Sequence, residues 1–211
     1  LASFSAAGAN ASPGSDLFSL TISATSFAVW DHTSAPVASG SCETSLRSDG
    51  FRTTTLRSGR PTLLRFVDGR LRTVEARGLV GTVELSGPNT LDERCGDSVA
   101  ETPQPCAKTT RRFDGARTML FSTRPGSVSV RPVRVTLDRI ECPFEPDDVV
   151  ALPLGPPPAP LHVRLATLTN KRTTRITLTA SAKRQKDYAS PEAGTLRQRA
   201  SWKLTFVRTG R

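Results

Sequence analysis

Between Phe18 and Trp30 the even positions read Phe, Leu, Ile, Ala, Ser, Ala and Trp, while the odd ones are mostly Ser and Thr until Phe27 and Val29. A period of two belongs to a β-strand with one face in a core and the other in water; a helix would repeat about every 3.6 residues. The run therefore commits the start of the chain to one very long strand, or to two joined at a bend near Ser26. The same alternation returns at the far end. In "SWKLTFVR" Trp202, Leu204 and Phe206 share one face and Lys203 and Thr205 the other, and "RITLTAS" and "LHVRLATL" alternate likewise.

No segment carries apolar residues at helical spacing, and Pro, Gly, Thr, Ser and Val recur throughout. Asp68-Gly69 between "TLLRFV" and "RLRTVEA" predicts a tight hairpin, and Asp49-Gly50 predicts a second turn. In "SVSVRPVRVTLDRI" the apolar phase flips at Pro132, which fits a bulge or an edge position. The pattern predicts an all-β fold, a mainly antiparallel sandwich of about ten to twelve strands. Pairing of the first long strand with the last would bring Trp30 and Trp202 into one core. Residues 1–16 read as an extended N-terminal arm, a docking strand or the tail of a signal peptide. Residues 17–211 read as a single domain. The Pro-rich stretch 152–161 is taken as a stiff crossover within it, because the 51 residues from 161 onward are few for a separate core.

Charge is uneven. Residues 1–46 hold three acids and no Lys or Arg, whereas residues 161–211 hold twelve basic residues and two acids, a net of +10 that equals the whole chain's excess. A basic end attracts polyanions. Its densest cluster, Lys183, Arg184 and Lys186 in "AKRQKDYAS", is expected in a hairpin loop as the contact for a polyanion or partner. Sequence-specific nucleic-acid reading is not expected, because Trp202 and Phe206 of this quarter fall on the core side of their strand. Only five of the 29 basic residues are Lys, and Ala, Gly and Pro are plentiful, as in proteins of GC-rich bacteria.

The four cysteines, Cys42, Cys95, Cys106 and Cys142, form no C-x-x-C pair and lie far in sequence from His32 and His162, so zinc-ligand spacing is absent. An even count in an exported chain points to two disulfides. Three pairings exist; Cys95–Cys106, stapling a loop, with Cys42–Cys142 is the one expected. The search for catalytic motifs finds no G-x-S-x-G, H-E-x-x-H or P-loop pattern. Asp31-His32 would point to opposite faces of a strand, and Glu145 to Asp148 read as solvated loop acids. No catalytic residue, metal or cofactor is expected, and no apolar run is long enough to span a membrane as a helix.

Two functions fit. The first is a secreted, non-enzymatic structural subunit of an extracellular or cell-surface bacterial assembly, a filament or surface layer, polymerising through its arm. The alternative is a secreted monomer that binds anionic glycans or a cell-envelope polymer through its basic C-terminal quarter.

Overall fold

A computed structural model describes residues 16–67, 70–71, 74–104, 106–124, 127–131, 146–151, 154, 161–170 and 172–210. The arm (1–15), the turn Asp68-Gly69, Pro132, Cys142 and all of the Pro-rich crossover except Leu154 and Leu161 lie outside them. The elements in order are β1 (Asp16–Thr33), β2 (Val37–Ser39), β3 (Cys42–Ser58), β4 (Thr62–Val67), β5 (Arg70–Leu71), β6 (Val74–Gly87), β7 (Asn89–Cys95), β8 (Ser98–Pro103), β9 (Cys106–Arg124), β10 (Ser127–Arg131), α1 (Asp147–Ala151), β11 (Leu161–Arg164), α2 (Leu165–Thr169), β12 (Arg175–Asp187) and β13 (Ala193–Gly210). The fold is all-β and antiparallel.

β1 runs unbroken for 18 residues, and each even position from Phe18 to Trp30 is buried. It pairs with β13 along almost its whole length, with Ala24 opposite Trp202 and Trp30 opposite Leu196. First and last strands thus meet, but that register sets the two tryptophans six residues apart, and they belong to different apolar clusters.

All thirteen strands join one hydrogen-bonded sheet, whose main path runs β11-β10-β9-β6-β3-β1-β13-β12. A single sheet therefore stands where two facing sheets were expected. Read as a circle, that path is chain order, an up-and-down meander. Laid flat at about 4.8 Å per strand, its two ends would lie roughly 34 Å apart. Instead Cα atoms of β11 and β12 approach within 8 Å, and side chains of both strands join the same cluster as Phe18, Leu56 and Trp202. The sheet is curled into a barrel around one interior, although no ladder joins β11 to β12 among the described residues.

Two local expectations change. Asp49-Gly50 is not a turn; β3 passes straight through it. Glycine is required there because a Cβ would lie 2.4 Å from the Trp30 ring, which packs across the strand with its Nε1 donating to Ser48 Oγ at 2.9 Å. The cysteine loop is also different. Cys95 bonds to Cys42, its direct cross-strand neighbour on β3, with Cα atoms 4.2 Å apart. The residues after Cys95 turn at Gly96 (φ 61°) into β8, so they form a hairpin with Cys95 at its tip. Cys106 lies past the base of that hairpin, opposite Gly87 on β6. The hairpin holds its tip away from its base, and with Cys42 and Cys95 bonded to each other neither the expected Cys95–Cys106 staple nor Cys42–Cys142 forms. The Cys42–Cys95 bond bridges a separation of 53 residues, about 4 kcal/mol of loop-closure stabilisation in the chain-entropy account.

Candidate functional site

The basic quarter is divided by strand alternation. "AKRQKD" is not a loop: β12 continues to Asp187, and the chain turns only at 188–192. Lys183 consequently faces out, while Arg184 and Lys186 face in and are half-buried. Arg184 Nη2 donates to Asp148 Oδ1 at 2.5 Å and Lys186 Nζ to Asp148 Oδ2 at 2.6 Å. Of the expected polyanion contacts, two are therefore occupied by a carboxylate of α1. Those bonds, led by the one from Lys186, hold the Asp148 carboxyl below its ordinary range. Lys186 also sits 4.3 Å over the Tyr188 ring, which packs against His32 with ring centroids 4.3 Å apart. The Tyr188 hydroxyl is buried and makes no well-formed hydrogen bond among the described residues, although the Asp148 carboxylate lies close enough to act on it. Burial, then the charges of Asp148 and Glu192, pushes it up to about 12. Val149 of α1 packs with Trp30 and Leu196, so this helix caps one end of the barrel.

The outer face carries the available charge. Cross-strand register lines outward residues into rows. One row reads Thr179, Lys203, Ser23, Arg57 and Val80. The next reads Ser181, Ser201, Thr25, Thr55 and Thr82, and the third Lys183, Arg199, Phe27, Thr53 and Glu84. The short hydroxyl side chains of the middle row, flanked by Lys203 and Arg57 on one side and Lys183 and Arg199 on the other, leave a trough. It opens as depressions of about 440 Å³ over β12, β13 and β1 and about 700 Å³ over β3, β6 and β9, the latter also lined by Arg112 and by one acid, Asp114. Crossing six strands gives it a length of roughly 24 Å. Two neighbouring threonines of its floor, Thr55 and Thr82, bond to each other at 2.7 Å.

Arg57, Arg112 and Lys203 line these depressions, Lys183 and Arg199 stand in the row beside them, and none of the five has a carboxylate within 4.0 Å among the described residues. Arg199 lies over the Phe27 ring at 5.0 Å, so that aromatic face is already covered. Two rows further along, Asp31 and Asp49 stand directly opposite each other. Burial, then the Asp31 charge, raises the Asp49 carboxyl, and this acidic row bounds the basic region.

Sequence reasoning missed Arg57, Arg112, Arg199 and the hydroxyl floor. The signal on β13 was present, since Arg199 and Lys203 share the phase opposite Trp202. The contributions of β3, β6 and β9 depend on register between distant strands. Glu93 has a carboxylate oxygen within 4.8 Å of the Cys42 and Cys95 sulfurs, but the disulfide engages both sulfurs. No helix among the described residues is long and apolar enough to cross a membrane.

Taken together, the chain is an antiparallel curled-sheet protein with a cation-lined trough on its outer surface. No family model matches it, and neither a curated protein nor a solved structure does.

Proposed function

We propose that this is a secreted, non-enzymatic module that binds an anionic glycan along the outer trough. The observation that supports this most is the set of five cations on this face, around a hydroxyl floor, with no carboxylate within 4.0 Å among the described residues. Unneutralised guanidinium and ammonium groups on one face attract a polyanion, Arg forks suit sulfate or carboxylate, and Ser and Thr can bond to sugar hydroxyls. A glycan fits better than single-stranded nucleic acid because the Phe27 face is taken by Arg199 and offers no platform for a base. The Cys42–Cys95 disulfide accords with an oxidising compartment.

The test is charge reversal of Arg57, Lys183, Arg199 and Lys203 together, read by affinity for heparin at several salt concentrations. Affinity should fall more than tenfold, and the log–log salt slope should shrink by roughly one per contact removed. Unchanged affinity would sink the proposal, and tighter binding of an equally charged DNA oligomer would replace the glycan with nucleic acid.

A second reading, a subunit of an extracellular assembly, draws on β2 and β8. Every residue of both is exposed, and each pairs on one side only among the described residues. Open edges of this kind accept a further strand. Sedimentation of the same wild-type sample distinguishes the readings: a monomer that binds heparin leaves no role for assembly.

A further inference from the structure

Beyond the row of Lys183 and Arg199, the outer face holds another cavity, of about 470 Å³, over β13, β1 and β3. Two rows of outward side chains line it. In the nearer row Arg197, Val29 and Phe51 stand side by side; in the farther row Thr195, Asp31 and Asp49 do. One cavity therefore carries a cation at one corner, two carboxylates along its far side and an apolar wall next to both.

The opposite charges are not closed on each other. Arg197 and Asp31 are diagonal neighbours on adjacent strands, so their Cβ atoms lie about 7–8 Å apart, within reach of an arginine side chain. Yet no carboxylate lies within 4.0 Å of Arg197 among the described residues. Asp31 and Asp49 are close enough to hydrogen-bond to each other, which sets two acids together without neutralising either. Arg47, the cation that acts on Asp49, is paired with Glu101 at 3.5 Å. The apolar wall is open as well: Val29 is 41% exposed and Phe51 is half-buried.

We infer that this cavity is a binding site for a small zwitterion with an apolar body, an α-amino acid with an aromatic or branched side chain. Its ammonium donates to Asp31 and Asp49, its carboxylate accepts from the Arg197 fork, and its side chain covers Val29 and Phe51. Other guests leave part of the lining unmatched. A metal ion would meet Arg197 with like charge and gain nothing from the apolar wall. A plain anion would face two carboxylates, and an apolar molecule would strip water from the charges without replacing it. The site is separate from the trough, since Asp31 lies six residues along β1 from Thr25 on the trough floor, about 20 Å.

The test uses the full chain, with L-phenylalanine and L-leucine as probes in calorimetric titrations. Phenethylamine, which lacks the carboxylate, and 3-phenylpropionate, which lacks the ammonium, are the controls. At least one amino acid should bind roughly tenfold or more tightly than both controls. Asp31→Asn and Arg197→Gln change exposed side chains and should leave stability nearly unchanged. Each should weaken the amino acid roughly tenfold, and Arg197→Gln should leave phenethylamine binding no weaker than in the wild type. No binding at about 10 mM probe, equal affinity for an amino acid and either control, or unchanged affinity in both variants would each overturn the inference. Calcium that binds in competition with the amino acid and more tightly would replace the zwitterion with a metal ion.

Discussion

Lys183 and Arg184 are neighbours in sequence and opposites in environment. Lys183 stands on the outer face with no carboxylate within 4.0 Å among the described residues, while Arg184 points inward and is held by Asp148. The same division runs along β13, where Lys203 is exposed and Leu204 is 1% exposed. One face of each strand is therefore available for binding, and the other holds the barrel together. Net charge by segment cannot make this distinction, since it counts Arg184 and Lys186 with the free cations.

Adjacent substitutions on the two faces of β13 should have very different effects. Leu204→Ala should cost about 2–5 kcal/mol, because it removes packed methyl groups and leaves a cavity. Lys203→Ala should change stability by less than about 0.5 kcal/mol. Urea unfolding of both variants measures it, and similar losses would mean that the two faces do not differ as described.

A smaller effect tests the inner clamp. Asp148→Ala should cost about 1–3 kcal/mol through lost charge-assisted bonds, towards the low end because the three side chains are 23 to 38% exposed. The pH dependence has a definite sign. The Asp148 carboxyl is held below its ordinary value of 3.8, so its contribution is complete above that value and is lost as pH falls through the lower, folded value. The stability difference between wild type and variant should be flat from neutral pH down to about 5 and then narrow on acidification. A difference that widens in acid would mean that Asp148 is not held by cations.

How much of this was legible follows from what each feature depends on. β1 was legible because Phe18 to Trp30 repeat every second residue and the strand obeys its own pattern. β12 was legible only to Ser181; beyond it the inward positions include Arg184 and Lys186, whose partner Asp148 is remote in sequence, and charges at core positions read as a loop. Gly50 looked like a turn because its reason, the Trp30 ring, lies on another strand. Cys42–Cys95 and the trough are both products of register. Local spacing favoured Cys106 for Cys95, and no single strand reveals that Ser201, Thr25, Thr55 and Thr82 form one floor.

The smallest effect has the cleanest probe. Tyr188 is the chain's single tyrosine, so phenolate absorbance reports on the cap directly. Burial and the nearby carboxylates of Asp148 and Glu192 raise its hydroxyl from an ordinary value of 10.0 to about 12. A raised acid favours the neutral form in the folded state. The stability this group supplies is therefore complete below pH 10 and is lost as pH rises towards 12. In the folded protein the absorbance midpoint should lie near 12, and in denaturant it should return to about 10. Asp148→Asn should lower the folded midpoint, because it removes a negative charge that opposes ionisation. Tyr188→Phe should change stability little, since the buried hydroxyl it deletes makes no well-formed hydrogen bond among the described residues. A folded midpoint near 10 would place the ring in water, and the inner face of β12 would then be open at that end rather than closed by α1.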